Sequence, residues 1–184
     1  TYSRSHGIRP EILETQVNAM GMTLIRQPAT WDNYEEKFKE AVAAMKQDGI
    51  TAGVFGDIDL EPHREWVERV CGEMGIKAYL PLWLGERADL MDELLNAGFE
   101  AVVTSTDGKI MGEEWLGRKI DAQFVEDINK RGDIDLCGEK GEYHTLVTDG
   151  PLFNQRITIQ HTEPVKMENH WFLNITGYGT TNSQ

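Results

Sequence analysis

Cysteine is scarce here, with Cys71 and Cys137 the two in 184 residues. No CxxC occurs and no Cys/His spacing suggests zinc, so no metal ligand set is expected, and reduced thiols in a cytoplasmic protein are. Long apolar runs are also missing. None approaches the ~20 residues that cross a bilayer, and no signal peptide is visible, although the chain starts at Thr1 rather than Met. Bases are few. Eighteen Lys and Arg stand against 31 Asp and Glu, for a net charge of −13. With no local basic cluster, that balance opposes non-specific nucleic-acid binding. It remains compatible with ATP, because a few backbone N–H groups can hold phosphates within an acidic protein.

The composition is ordinary for a globular chain, 40% hydrophobic and 27% charged, and the length suffices for a sizeable core. Helix and strand alternate through the first two-thirds. Pro10 to Met20 reads as a helix stopped by Gly21, Thr23 to Arg26 as a short strand, and Asn33 to Asp48 as a helix ended by Gly49. Ile50 to Phe55 has a buried-strand pattern. Asp59 is expected to cap the next helix, with Pro62 in its first turn and Trp66, Val67, Val70, Cys71 and Met74 facing inward. Lys77 to Leu80 and Glu100 to Thr104 read as strands on either side of a helix from Arg87 to Ala97. Helices between strands predict parallel pairing with right-handed crossovers.

Near Asp107 the character changes. A short helix around Glu113 to Leu116 and another from Asp121 to Lys130 precede three strands, Tyr143 to Val147, Arg156 to Gln160 and Trp171 to Thr176. The polar end from Gly177 to Gln184 reads as disordered. The expected fold is α/β, a parallel sheet flanked by helices over residues 1–106, with a smaller mixed α+β region over 107–184. One part is missing: Thr1 to Gly7 reads as loop where such a domain opens with a strand, a glycine-rich turn and a helix.

Three stretches can carry chemistry. In Cys137-Gly138-Glu139-Lys140-Gly141-Glu142-Tyr143-His144-Thr145, two glycines allow a tight turn and close approach to a ligand. Glu139 and Glu142, three apart, can share a pocket that binds an amine or cation or orients ammonia. Tyr143, His144 and Thr145 add hydrogen-bonding groups. The plainer alternative is a solvated turn. In Trp115-Leu116-Gly117-Arg118, Gly117 permits a bend that presents the Arg118 guanidinium to carboxylate or phosphate; alternatively Arg118 is an exposed arginine beside a core Trp115. Gly56-Asp57 lies at the carboxyl end of a predicted parallel strand, where ligands bind in open α/β sheets, or serves only the turn. His6 can touch a ligand, whereas His63, His161 and His170 read as surface. Cys71 reads as core, and Trp83 as core or pocket wall.

Together these stretches resemble the diphthine–ammonia ligase family. Gly138 to Thr145, continuing through Asp149-Gly150-Pro151-Leu152-Phe153, is similar to that family's Glu-Gly-Gly-Glu-(Tyr/Phe)-(His/Glu)-Thr … Pro-Leu-Phe signature. Leu116-Gly117-Arg118, Gly56-Asp57-Ile58, Pro81-Leu82-Trp83 and Ser5-His6-Gly7-Ile8 fall where the family has related residues. The resemblance runs from about Ser3 to Phe153. It implies a Rossmann-like, HUP-type ATP pyrophosphatase that cleaves ATP to AMP and pyrophosphate, adenylates a carboxylate and amidates it with ammonia. ATP and Mg are the implied cofactors, and diphthine on an elongation factor the implied acceptor. By the family's pattern Glu139, Glu142 and Arg118 form the catalytic set, with Glu142 as base. Gly56, Asp57 and His6 lie by the nucleotide, and Gly138, Gly141, Tyr143, His144, Thr145 and Gly117 shape the acceptor pocket.

Two features depart from the family. The Gly-Gly-Lys-Asp-Ser phosphate loop does not occur and would lie upstream of Thr1, and Lys140 occupies a usual glycine place. A non-catalytic module that holds a nucleotide or small acid is therefore the competing reading. A flavodoxin-like domain would show a phosphate loop of its own, and none is seen. Trp171 and Phe172, expected to be exposed, suggest a homodimer.

Overall fold

The computed structural model describes residues 6–182. The chain divides into two compact units, one from Ile25–Glu86 and the other combining Thr1–Leu24 with Arg87–Gln184.

The smaller unit contains helices α2 (Tyr34–Gln47) and α3 (Glu61–Glu73) and strands β1 (Ala52–Val54) and β2 (Lys77–Tyr79). The strands pair in parallel, with Gly53 opposite Ala78. This is the crossover that a helix between two strands predicts. Rings of Phe38 and Trp66 meet edge to face at 5.2 Å, joining α2 to α3. Beside them Glu35 accepts hydrogen bonds from Arg69 (2.6 Å), Lys39 (2.7 Å) and the Trp66 indole (3.0 Å). The Arg69 and Lys39 cations hold the Glu35 carboxyl down to about 2.

The larger unit is built on a four-stranded antiparallel sheet of β3 (Glu100–Asp107), β4 (Tyr143–Asp149), β5 (Gln155–Met167) and β6 (His170–Asn182), in the order β4-β3-β6-β5. Its helices are α1 (Pro10–Ala19), α4 (Arg87–Asn96) and α5 (Ala122–Arg131). Alternation along the strands sends their side chains to two cores. Ala101, Val103 and Tyr143 join Met91 of α4 and Phe124 and Ile128 of α5. Val102, Leu146, Leu173 and Ile175 join Ile8 and Ile12 at and before α1. Gln16 of α1 also donates to the Val147 carbonyl at 2.7 Å, and Arg9 donates to the Ile175 carbonyl. Asp121 caps α5 by accepting from Phe124 N–H at 2.9 Å, as an Asp just ahead of an apolar-periodic run should. Gly132 ends it in the left-handed region, φ 70°.

Several expectations are corrected. Glu100 to Thr104 is not a parallel strand of the N-terminal sheet; β3 pairs antiparallel with β4 and β6. The short connections between β4, β5 and β6 return the chain beside itself, which is what antiparallel pairing requires. The boundary drawn after residue 106 thus falls inside β3. Thr23 to Arg26 forms no strand, and Met22 and Ile25 are exposed there. The strand over Ile50 to Phe55 shortens to β1, whose Val54 is 73% exposed, so it is not a buried strand. Leu60, not Asp59, is the N-cap of α3. The polar C-terminal stretch is ordered as β6 through Asn182, because β5 supplies its ladder. Trp171 and Phe172 are half-buried, not exposed. Lys166 lies 5.1 Å from the Trp171 ring, and a Cβ on Gly7 would strike the Phe172 ring. Ser3 and Ser5 of the N-terminal motif lie outside the described residues. Cys71 is buried as expected. Among the described residues no helix is long and apolar enough to cross a membrane.

Phe124 is fully buried, with the rings of Trp115 at 5.7 Å and Tyr143 at 5.3 Å, both edge to face. Phe124→Ala should lower unfolding free energy by about 3–5 kcal/mol, read as a fall in the denaturant midpoint at unchanged slope.

Candidate functional site

Between α5 and β4 the chain makes a compact loop, and the acidic residue just before the strand holds it. Glu142 is 2% exposed. One carboxylate oxygen accepts the Asp135 N–H at 2.8 Å, and the other accepts the Lys140 N–H at 3.1 Å. Its own carbonyl accepts the Asp107 N–H at 2.9 Å, which ties the loop to the end of β3. A carboxylate collecting backbone N–H groups in this way satisfies donors that a buried loop would otherwise leave unpaired. Tyr143 adds a second clasp by donating its hydroxyl to the Leu136 carbonyl at 2.6 Å. Burial, with Cys137, Asp135 and Glu142 nearby, raises the phenol pKa.

The loop turns through Gly138 and Gly141, at φ 70° and 83°. Both lie in the region that glycine enters without steric cost. At Gly138 there is a second constraint, since a Cβ would come within 2.9 Å of the Tyr143 carbonyl. Asp135 anchors the other side. It accepts from the Cys137 N–H at 2.9 Å in an Asx-type turn and pairs with Arg87 at 3.2 Å. Burial, with Asp135 alongside, pushes the Cys137 thiol up to about 11, so it is a packed thiol and not a nucleophile. Glu139 is half-buried on the same turn, and Lys140 is exposed.

Residues after the loop meet a second cluster. The His6 and His144 rings lie 4.6 Å apart, and His6 Nδ1 is 3.2 Å from the Thr145 carbonyl oxygen. Burial, then the neighbouring His6 and His170, lowers His144 to about 4. The bare imidazole is therefore neutral near pH 7.

Arg118 sits elsewhere on the same unit. Its guanidinium lies 4.5 Å from the Trp115 ring centroid and pairs with Asp127 of α5 at 2.7 Å. Gly117 before it has φ 75°. The structure thus joins Gly138, Gly141, Glu142 and Tyr143 into one loop and brings His6, His144 and Thr145 together. The ion pair of Arg118 is with α5 and not with either glutamate. Gly56 and Asp57 belong to the smaller unit, where Asp57 meets His63 at 3.1 Å. Sequence reading missed Asp135 and Arg87, while His170, read as surface, is exposed. The Asp135-Leu136-Cys137 spacing carries an Asx-turn signal that could have flagged the first. Arg87 is distant in sequence and has no local signature.

Glu142→Gln replaces one acceptor oxygen with an N–H donor facing a backbone N–H. It should cost roughly 1–3 kcal/mol, measured by chemical denaturation. His144 gives a pH signature. Its folded value, about 4, lies below the unfolded value of 6.5, so between them the unfolded chain binds more protons. Stability should be full above pH 6.5 and fall as pH drops toward 4, by no more than ~1.4 kcal/mol per pH unit. Against that curve, His144→Gln should flatten the slope in this window.

Two family models cover nearly the whole chain: the diphthamide synthase N-terminal domain over residues 1–78 and the diphthamide synthase C-terminal domain over residues 86–181. Curated relatives carry the name diphthine–ammonia ligase. The zebrafish (Danio rerio) protein is 27% identical over 144 residues, 75% of this chain and 55% of its own length. The Schizosaccharomyces pombe protein is 32% identical over 106 residues, 56% of this chain and 17% of its own length. The human protein is 24% identical over 137 residues, 73% of this chain and 51% of its own length. The chain therefore spans about half the length of its vertebrate relatives and less of the fungal one. With both halves recognised in order, and the glycine–glutamate loop inside the second, this chain belongs to the diphthamide synthase family.

Proposed function

We propose that this chain is part of an ATP-dependent amide ligase in which a carboxylate is adenylated, with release of pyrophosphate, and then attacked by ammonia. The observation that carries this reading is family membership across both halves, together with a loop whose geometry depends on the family's glycines and second glutamate. On this reading the N-terminal part carries a Rossmann-like, HUP-type nucleotide fold, of which β1, β2, α2 and α3 are a portion. The C-terminal part receives the acceptor, diphthine in the relatives' name. A cytoplasmic setting accords with the two free thiols.

The residues present fit a nucleotide only in part. Gly56 is exposed with open space around its Cα, at the carboxyl end of β1. Asp57, beside it, suits a ribose hydroxyl. The Trp83 indole N–H is buried without a partner in the same unit, a donor available to a ligand. No cradle for the phosphates is found among the described residues. Bound ATP would supply the activating adenylyl group, with pyrophosphate leaving, and Mg would accompany its phosphates.

The loop's own contribution is positioning. Glu142 is consumed in holding the turn, so it sets the shape of the loop and does not move a proton. Glu139, half-buried on the outer side of the same turn, is the carboxylate we assign to meeting an incoming ammonium. Neutral His144, beside His6, can accept a hydrogen bond from the attacking amine. A holding module without catalysis is the second reading, favoured by the inward Glu142 carboxylate.

Full-length protein given ATP, magnesium, ammonia and the acceptor acid should release pyrophosphate in proportion to amide. Glu139→Gln should lower kcat/KM for the acceptor by about tenfold or more, with a smaller fall in Tm than Glu142→Gln. Nucleotide binding by calorimetry without pyrophosphate release would establish the holding module instead. Absence of nucleotide binding would remove the ligase, and absence of binding by the acceptor acid as well would remove the holding module.

A further inference from the structure

Most described arginines of this chain are matched by an acid. Arg64, Arg69, Arg87, Arg118, Arg131 and Arg156 each meet a carboxylate at 2.6 to 3.2 Å. Arg9 does not. Its guanidinium forms no ion pair among the described residues, although acids outnumber bases 31 to 18 in the sequence.

The side chain is held at the rim of an apolar core. Arg9 is the N-cap of α1, and its carbonyl accepts the Ile12 N–H at 3.1 Å, which fixes the main chain. Ile8 and Ile12, on either side of it in sequence, are buried in one cluster with Ile175. Along β6, pairing with β3 ends at Phe172, and beyond that point the Ile175 carbonyl accepts from Nη2 of Arg9.

That bond accounts for one nitrogen of three. Nε is buried without an acceptor, whereas Nη1 has no acceptor among the described residues and is not sealed from solvent. A cation partly withdrawn from water without a counter-ion is costly. So is a cation at a helix N-terminus, where the backbone already carries partial positive charge. An anion on Nη1 would relieve both. Glu11, the nearest acid in sequence, is exposed, and side chains two positions apart at a helix start do not face each other.

We propose that Arg9 anchors an oxyanion site, in which Nη1 and the second hydrogen of Nη2 grip two oxygens of a carboxylate or phosphate group on a small ligand. The fork is set in advance, because α1 fixes the main chain and Ile175 fixes Nη2. The site is independent of the ligase reading, and its test contains no nucleotide.

The probes are inorganic phosphate and acetate, titrated separately into the whole chain at constant ionic strength, with chloride as the control. The readout is nitrogen–proton NMR of the arginine side chains. The Arg9 Nε–H, shielded from water, should give a slowly exchanging signal, identified by its loss in Arg9→Lys. Phosphate or acetate should move that signal and the amides of Ile8, Glu11 and Ile175 saturably, and chloride should not. Arg9→Lys keeps the charge and loses the fork, so it should weaken binding by about fivefold, and Arg9→Gln should abolish it. Saturable binding of either oxyanion on Arg9 supports the site, and the tighter of the two tells a phosphoryl ligand from a carboxylic acid. Three results would overturn it: no saturable movement of the Arg9 signal at roughly tens of millimolar probe, shifts centred on another arginine, or binding unchanged in Arg9→Gln. Should either variant fail to fold for want of the Ile175 bond, the Arg9 signal of the unaltered chain decides.

Discussion

A single buried carboxylate organises the C-terminal half. Glu142 sits where loop becomes strand, and its two oxygens accept N–H groups from either side of the turn, at Asp135 and Lys140. Its main chain joins the same turn to β3 through Asp107. Leaving those N–H groups unpaired away from water would be expensive, so the loop has one low-energy shape. Gly138 and Gly141 make that shape possible, and Asp135 extends it to Arg87 at the start of α4. The electrostatics follow from the same burial: the Cys137 thiol and the Tyr143 phenol are both held neutral beside the carboxylates.

This constraint changes how the family's paired glutamates are understood. Spacing alone lets both point into one pocket. In the folded loop their settings differ, with Glu142 inward and Glu139 half-buried on the outer turn. The nearby imidazoles add a different chemistry. His144 opposes Ser105 across the ladder, while His6 reaches the next carbonyl along β4. Arg118 instead serves a local purpose, covering the aromatic stack of Trp115 and Phe124 and pairing with Asp127.

Much of the fold was legible because helix signals are local. Pro10, Gly21 and Gly49 punctuate the first two helices where propensity places them. The glycine–glutamate loop was legible for the same reason, since positive φ demands glycine at fixed places. Strand partners were not. Whether Glu100 to Asp107 lies beside β2 or β4 depends on pairings far along the chain, which alternation of apolar residues does not encode. Likewise the ion pair of Arg87 with Asp135, and the meeting of His6 with His144, join residues that nothing in their immediate surroundings connects.

The larger unit is discontinuous, with residues 25–86 inserted between α1 and α4. A ribosome therefore delivers α1 long before the strands that cover it. Ile8 and Ile12 find their neighbours Leu146, Leu173 and Ile175 only after β4 and β6 have been made. Until then the apolar stripe of α1 is open to chaperones and to off-pathway association, while the inserted unit has all its own partners already made. Native-like assembly of this half is thus a long-range closure, the kind of non-local pairing that folds slowly.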